Sequence, residues 1–291
     1  MKVGLTANPR KPAAVDLARR ALEQIGDRAE VLVSSEVREV APDRPHVPLE
    51  ELRADALVAF GGDGTFLYTL RRSELPLLPI NAGTVGVLAE VSVRQPGALE
   101  RALDRLLDGH YFLEERMKLA AEVDGTPIGD ATNEFLIHSA EVGKMGLFEL
   151  AFDHHVVGSL RADGLILATP TGSTAYSLSS LGPIVDPSLE AIVLTAIAPF
   201  RVQARAVVVE PLHPVRLRAL EVGRGAVVIA DGQEEYPIAT GAAVSVYRSP
   251  RRATLVRFGS RLFERLRGKG ILPWAEPSET EAAVADLPPR A

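Results

Sequence analysis

The chain contains no cysteine among its 291 residues. That excludes disulfides, thiolate metal sites and cysteine nucleophiles, and it suits a reducing compartment, for which the cytoplasm is the default expectation. Positive charge is also short. Lys and Arg number 32 against 38 Asp and Glu, giving a formal net charge of −6. Such a balance argues against non-specific nucleic-acid binding, which needs a surplus of basic groups to neutralise phosphates. A small ligand or a protein is the expected partner. No apolar run approaches the ~20 residues that span a bilayer. Met1–Thr6 enters a strand-like run without the apolar stretch and small-residue cleavage site of a secretory signal. Histidines are few, and His154-His155 are adjacent rather than at i, i+4 spacing, so no zinc set forms.

What the chain does have is length and 46% hydrophobic content, enough for two ordinary cores. The first third alternates short apolar runs with helical patterns: Val3–Thr6, a helix over Pro12–Ile25, Glu30–Ser34, then Ala56–Phe60. That rhythm predicts parallel βαβ units. In the helix, Val15, Leu17, Ala18, Ala21, Leu22 and Ile25 recur at helical spacing, and Gly26 is the stop. The proline-rich stretch Ala41–Pro48 reads as a loop. A short helix to Arg72, a buried strand Leu77–Ile80, the turn Asn81–Gly86 and a helix over Pro96–Leu107 follow. From about Tyr111 the pattern changes to short runs such as Leu119–Val123, Leu147–Phe152, Ala191–Ile197, Ala206–Val209, Ala226–Ile229 and Ala243–Val246, separated by turns including Asp124-Gly125 and Asp231-Gly232. The fold class expected is therefore α/β followed by β. A Rossmann-like parallel-sheet domain spans 1–110 and a β-rich, sandwich-like domain spans 111–255. A C-terminal helix over 256–275, seen in Phe258–Leu266, would pack back on the first domain, and 276–291 reads as a loose tail.

Two runs carry chemistry. Gly61-Gly62-Asp63-Gly64-Thr65 follows the apolar run Ala56–Phe60, placing it at the carboxyl end of a parallel strand, where open α/β sheets bind ligands. Gly61, Gly62 and Gly64 permit close backbone approach to phosphates, and a following helix would offer N–H groups to the same anion. A carboxylate is out of place beside phosphates unless it takes a proton or holds a metal, which makes Asp63 a base or magnesium-ligand candidate. The fragment alone fits a chain-turning loop equally well. It is neither a P-loop nor the usual dinucleotide fingerprint. The second run, Thr169–Pro183, places seven Ser/Thr within Thr169–Ser180. Hydroxyls of this kind bond base edges and ribose, but they also cap helices, and the run by itself fits both.

In order along the chain, Gly61–Thr65, Asn81–Gly86, Asn133-Glu134, Arg161–Gly164, Thr169–Pro183 and Asp231-Gly232-Gln233 resemble the blocks of the NAD kinases, which phosphorylate the 2′-hydroxyl of the adenosine ribose of NAD. Lipid kinases of the diacylglycerol and sphingosine type share only the first block and are the alternative; a non-catalytic NAD(P) sensor would need to lack the base, and Asp63 is present. The resemblance implies that Asp63 is the proton acceptor, and that Gly61, Gly62, Gly64 and Thr65 hold donor phosphates. It implies a dinucleotide site of Asp63, Gly64, Asn133, Glu134, Arg161, Asp163, Thr171, Thr174, Ala175, Tyr176, Ser177 and Ser179, joined by Lys144, Ala198 and Gln233. The substrates implied are ATP and NAD, with Mg2+ carried mainly by nucleotide phosphates and polyphosphate as another donor to test. A dimer or tetramer is also implied.

From the chemistry of the residues, Asn133 offers a donor and an acceptor to a base edge, Glu134 accepts from ribose hydroxyls, and Tyr176 can stack or simply pack. Arg161 and Asp163 can equally form a surface ion pair. Val87 stands where many members carry an aromatic, Leu181 where many carry glycine, and a histidine common near Phe200 is replaced.

Overall fold

The apolar run of β4 (Ala56–Gly61) is buried along its whole length because helices cover both faces. Its alternate residues Ala56, Val58 and Phe60 pack with α1 (Pro12–Ile25) and α3 (Ala98–Leu107). Leu57 and Ala59 pack on the other side with Phe66, Leu67 and Leu70 of α2 (Asp63–Arg72). The computed structural model describes residues 1–83, 86–93, 95–141, 143–153, 155–201 and 204–259, with 266, 267 and 271.

Around β4 the strands β1 (Lys2–Ala7), β2 (Glu30–Ser34), β3 (His46–Val47) and β5 (Leu77–Asn81) run parallel in the order β5-β4-β1-β2-β3, and β6 (Val91–Ser92) pairs with β5. The βαβ expectation holds, with helices at Pro12–Ile25 and a stop at Gly26, whose N–H bonds Leu22 O. Two details differ. The Ala41–Pro48 loop contains the two-residue strand β3, recruited by pairing Val33 and Ser34 with His46 and Val47. The third helix starts at Ala98 rather than Pro96, because Gly97 is left-handed at φ 72° and serves as the N-cap.

The second half is richer in strands than the apolar runs alone suggest: β7 (Phe112–Val123), β8 (Thr126–Ala131), β9 (Glu134–Ser139), β10 (Gly146–Phe152), β11 (His155–Ala162), β12 (Gly164–Ala168), β13 (Ile192–Ile197), β14 (Val207–Val209), β15 (Val215–Glu221), β16 (Ala226–Ala230), β17 (Glu234–Ile238) and β18 (Ala243–Arg257). Asp124-Gly125, with φ of 48° and 78°, turns β7 into β8 as a hairpin requires. One sheet of order β14-β13-β12-β9-β16-β17 faces strands of the other across a core including Leu119, Phe135, Phe148, Leu167, Leu217 and Val246. That is the expected sandwich packing.

The sandwich is continuous with the first half. β18 extends well past the expected Val246: it pairs antiparallel with β7 and β15 and, at Leu255, parallel with β5, merging the parallel strands and one sandwich sheet into a single twelve-stranded sheet. Residues 1–259 accordingly form one compact unit. The expected tail, 276–291, and most of the expected helix over Phe258–Leu266 lie outside the described residues.

At the junction Arg257, 1% exposed, ends β18. Its Nε is 2.6 Å from Glu114 Oε2, and its Nη1 donates to Leu88 O at 3.0 Å and to Glu90 Oε2 at 3.1 Å. Glu114 also meets Arg116 Nη2 at 2.8 Å, and Arg116 Nη1 donates to Thr171 Oγ1 at 3.3 Å. Burial pushes the Glu114 carboxyl up, but Arg116 and Arg257 outweigh it and hold it below the usual range. Removing one member of such a buried cluster strands its partners. Arg257→Ala is expected to cost about 3–5 kcal/mol in denaturant unfolding, and a loss under about 1 kcal/mol would show that the cluster is dispensable.

Candidate functional site

α1 and α2 lie on opposite faces of the sheet, so the chain diverges between β1 and β4, the switch point where doubly wound sheets open a crevice at their carboxyl ends. A cavity of about 570 Å³ occupies that place, walled by Asn8, Arg10, Glu36, Thr65, Tyr68 and Gln233 among others. Asn8 fixes the loop after β1: its N–H donates to Phe60 O at 2.9 Å and its Nδ2 to Thr65 Oγ1 at 3.4 Å. Lys11 brings its ammonium to the glycine loop, 3.5 Å from where a Cβ on Gly62 would lie. Gly62 is extended and caps α2, whose first-turn N–H groups begin at Asp63 and Gly64. A cation and a helix N-terminus thus meet at Gly61–Thr65, as a phosphate site requires. Sequence reasoning missed Asn8, Arg10 and Lys11. The signal was their place after the first strand and before a helix.

Asp63 is half-buried at the start of α2. Its Oδ2 accepts from Val87 N at 2.7 Å and its Oδ1 from Leu88 N at 3.2 Å. The approach is so close that a Cβ on Gly86 would stand 1.8 Å from Oδ1, which accounts for glycine at the end of the Asn81–Gly86 turn. Leu88 O is the atom held by Arg257, so one residue links the Asp63 carboxylate to the buried charge cluster.

From Gly64 a bond crosses to the second half: Gln233 Nε2 donates to Gly64 O at 2.7 Å. Gln233 follows Asp231, a left-handed residue (φ 51°) whose carboxylate accepts from the N–H groups of Thr132, Asn133 and Glu134 at 2.9, 2.7 and 3.3 Å. Burial pushes the Asp231 carboxyl up, opposed by those N–H bonds and by Arg71. Glu134, beside it and 7% exposed, is pushed up to about 8 by burial and then by the Asp231 charge. Its Oε2 is buried without a partner. Asn133 O accepts from Thr169 N at 2.8 Å, and a Cβ on Gly172 would lie 2.1 Å from that oxygen. This packs the hydroxyl run against the Asn133-Glu134 corner.

Much of the hydroxyl run faces inward. Thr169 Oγ1 donates to Thr132 O at 2.6 Å and accepts from Gly172 N at 3.0 Å, and Ser173 Oγ bridges Pro170 O and Val185 N. Ser177 is fully buried, with Oγ 3.0 Å from Thr195 Oγ1. Thr171 is buried against Arg116, and Thr174 donates to Thr171 O at 3.2 Å. Tyr176 and Ser179 are exposed, and Ala175 is half-buried.

The remaining expected residues are elsewhere. β12 pairs Ala168 with Glu134 at one end and Gly164 with His138 and Ile197 at the other. Asp163, Arg161 and Ala198 (φ 44°) belong to that second end, about 13 Å along the strand from the first. Arg161 pairs with Glu221 at 2.5 Å rather than with Asp163. Lys144 is exposed in the turn before β10, its N–H bonded to Glu141 O. The structure therefore brings together Asp63, Gly64, Gln233, Asn133, Glu134 and the Thr169–Ser179 run, and leaves Arg161, Asp163, Ala198 and Lys144 apart.

Comparison with known proteins fits this geometry. The family profile described as the ATP-NAD kinase N-terminal domain matches residues 3–111, and that of the ATP-NAD kinase C-terminal domain matches 132–258. An NAD kinase of Methanopyrus kandleri is 39% identical over 279 residues, covering 94% of this chain and 98% of its own length. One from Thermococcus gammatolerans is 36% identical over 272 residues, covering 91% and 97%. Among solved structures, an NAD kinase from Archaeoglobus fulgidus in complex with ATP aligns with a TM-score of 0.73 at 28% identity, covering 92% of this chain and 98% of that one. A yeast NADH kinase complexed with NADH shares the fold, with a TM-score of 0.81 at 23% identity over 94% and 87%. The second of the two profiles covers Asn133-Glu134, Arg161–Gly164, Thr169–Pro183 and Asp231–Gln233, and with both matched the chain belongs to the NAD kinase family.

Proposed function

We propose that Asp63 is the general base of an NAD 2′-kinase whose donor lies in the crevice between β1 and β4. The observation that carries this reading is the placement of one oriented carboxylate between the two nucleotide regions: Val87 and Leu88 fix Asp63, and Gln233 ties the adjacent Gly64 to the Asp231 turn. The 2′-hydroxyl gives its proton to Asp63 as its oxygen bonds the terminal phosphorus of the donor. The bond to the leaving phosphate breaks in the same displacement, and its electrons stay with that phosphate. Lys11 and the first turn of α2 neutralise the transferring group, the main contribution in phosphoryl transfer.

Among the described residues no three His, Asp or Glu side chains gather to hold a cation. Donor phosphates would chiefly hold Mg2+, Asp63 is the carboxylate of the glycine loop, and the ion when bound would supply further charge neutralisation. The dinucleotide lies along Asn133, Glu134, Thr171, Thr174, Ala175 and Tyr176. Glu134 Oε2, buried and partnerless, offers that ligand an acceptor, or a donor while protonated.

Arg161, Asp163 and Ala198 sit at the far end of β9, β12 and β13, and Lys144 in the turn before β10, so we assign all four to the pocket of a neighbouring copy in a homo-oligomer. The edge strands support association: Val156 and Val157 on β11 are 62% and 63% exposed, and Val207 and Val208 on β14 are 42% and 49% exposed. No described helix is long and apolar enough to cross a membrane. The cysteine-free chain suits a reducing cytoplasm.

Incubated with NAD, ATP and magnesium, the protein should form NADP. Asp63→Asn should lower kcat about 10²–10⁴-fold while NAD still binds, and full turnover in that variant would remove Asp63 from the role. Asp63→Asn and Asp163→Ala should each be inactive alone yet regain activity when co-expressed, since hybrid oligomers contain sites with both residues intact. No recovery in verified hybrids would place both residues in one chain's site. For Glu134, a carboxyl raised from 4.5 to about 8 favours folding below pH 4.5, and that contribution is lost as pH rises to about 8. Glu134→Gln removes this slope, so the variant should gain stability over the parent between pH 4.5 and about 8, by at most ~1.4 kcal/mol per pH unit, and no further above that. Parallel stability profiles would contradict the assignment.

A further inference from the structure

The crevice contains a carboxylate that the reaction does not use. Glu36 lies just past β2 in the helical turn Ser35–Val40 and forms part of the cavity wall with Asn8, Arg10, Thr65 and Tyr68. Its Oε2 is buried and has no hydrogen-bond partner, and no ion pair neutralises the group among the described residues. Keeping a carboxylate oxygen away from water without a donor costs free energy, and the half-buried side chain lines the cavity, so a ligand that brings donors to this carboxylate would relieve that cost.

The topology says which part of the ligand supplies them. Strand order places β2 on the far side of β1 from β4, so Glu36 is one strand removed from the glycine loop and Lys11. Phosphates are drawn to Lys11 and the N-terminus of α2, and repelled by Glu36. What reaches Glu36 must therefore be uncharged and rich in O–H or N–H groups. In doubly wound sheets an acidic residue after the second strand takes ribose hydroxyls by the same logic. We propose that Glu36 determines phosphoryl-donor specificity by accepting hydrogen bonds from the ribose hydroxyls of a nucleoside triphosphate, favouring it over inorganic polyphosphate. The proposal rests on reading the crevice as the donor site of an NAD kinase.

The test measures NADP formation by the parent enzyme, Glu36→Gln and Glu36→Ala at saturating NAD, with ATP, 2′-deoxy-ATP, 3′-deoxy-ATP and inorganic polyphosphate as donors. In the parent, at least one deoxy analogue should show a KM about 10- to 100-fold above that of ATP, the usual loss for a hydrogen bond to a charged group. In both variants KM for ATP should rise to meet that analogue. Their kcat should stay within about twofold, and their KM for polyphosphate should be unchanged or lower. Equal KM for ATP and both deoxy analogues in the parent would overturn the proposal without any variant, as would a deoxy penalty that survives in Glu36→Ala. Parallel loss of ATP and polyphosphate activity would instead make Glu36 a metal or phosphate-site residue. Thermal unfolding confirms that the isosteric Gln variant is folded. Should the parent make no NADP from any donor, the kinase reading fails, and calorimetric binding of ATP against the deoxy analogues still decides the role of Glu36.

Discussion

The Arg257 guanidinium, 1% exposed at the end of the longest strand, is the constraint on which the geometry depends. It reaches Leu88 O, and Leu88 N reaches Asp63 Oδ1. Through Glu114 it is joined to Arg116, which reaches Thr171. The carboxylate proposed to take a proton and the run proposed to bind the dinucleotide are thus referred to one buried charge cluster on strands of the same sheet. Apolar side chains of equal volume could hold those strands together as firmly. They could not aim two separate backbone segments by directional bonds, and aiming is what phosphoryl transfer demands, since most of its barrier is lowered by position and charge.

An acidic chain that handles polyphosphates must supply positive potential locally. Asp63, Glu36, Asp231 and Glu134 all lie in or near the site, against Lys11 and Arg10 in the crevice. Much of the balance comes from backbone N–H groups. Val87 and Leu88 stabilise Asp63, three consecutive N–H groups stabilise Asp231, and the first turn of α2 is left for the ligand. Glu134 is the exception. With no donor on its Oε2 and the Asp231 charge beside it, its carboxyl is pushed up to about 8, by burial first and then by that charge.

The parallel half was legible because its signals are local. Periodicity delimited Pro12–Ile25, a continuous apolar run delimited β4, and glycine after a strand located the crevice. The second half hides what depends on distant pairing. β18 continues past Val246 through Arg248, Arg251 and Arg252, whose charges break the apolar run but find Glu190, Asp130 and Glu74 across the surface. Chain order also cannot tell which end of a strand a residue will occupy. Asn133 and Asp163 look equivalent as polar residues beside apolar runs, yet the register of β9 with β12 sends them to opposite ends. Asn8 to Lys11 carry no glycine signature, and only the crossing of α1 and α2 to opposite faces marks their loop.

The hydroxyl run shows how composition overstates a binding site. Read as a sequence, Thr169–Ser180 offers seven interchangeable hydroxyls. Folded, Thr169, Ser173 and Ser177 are spent on Thr132, Pro170, Val185 and Thr195, so much of the run's hydroxyl content holds the turn itself. The inward hydroxyls pull the chain into a tight loop, and Gly172 lets that loop lie directly on Asn133 O. With the inward hydroxyls so engaged, the half-buried Thr174 and Ala175 and the exposed Tyr176 are what this part of the run leaves toward solvent. The dinucleotide contact proposed for this run therefore rests less on the number of hydroxyls available than on the few that the scaffold leaves over.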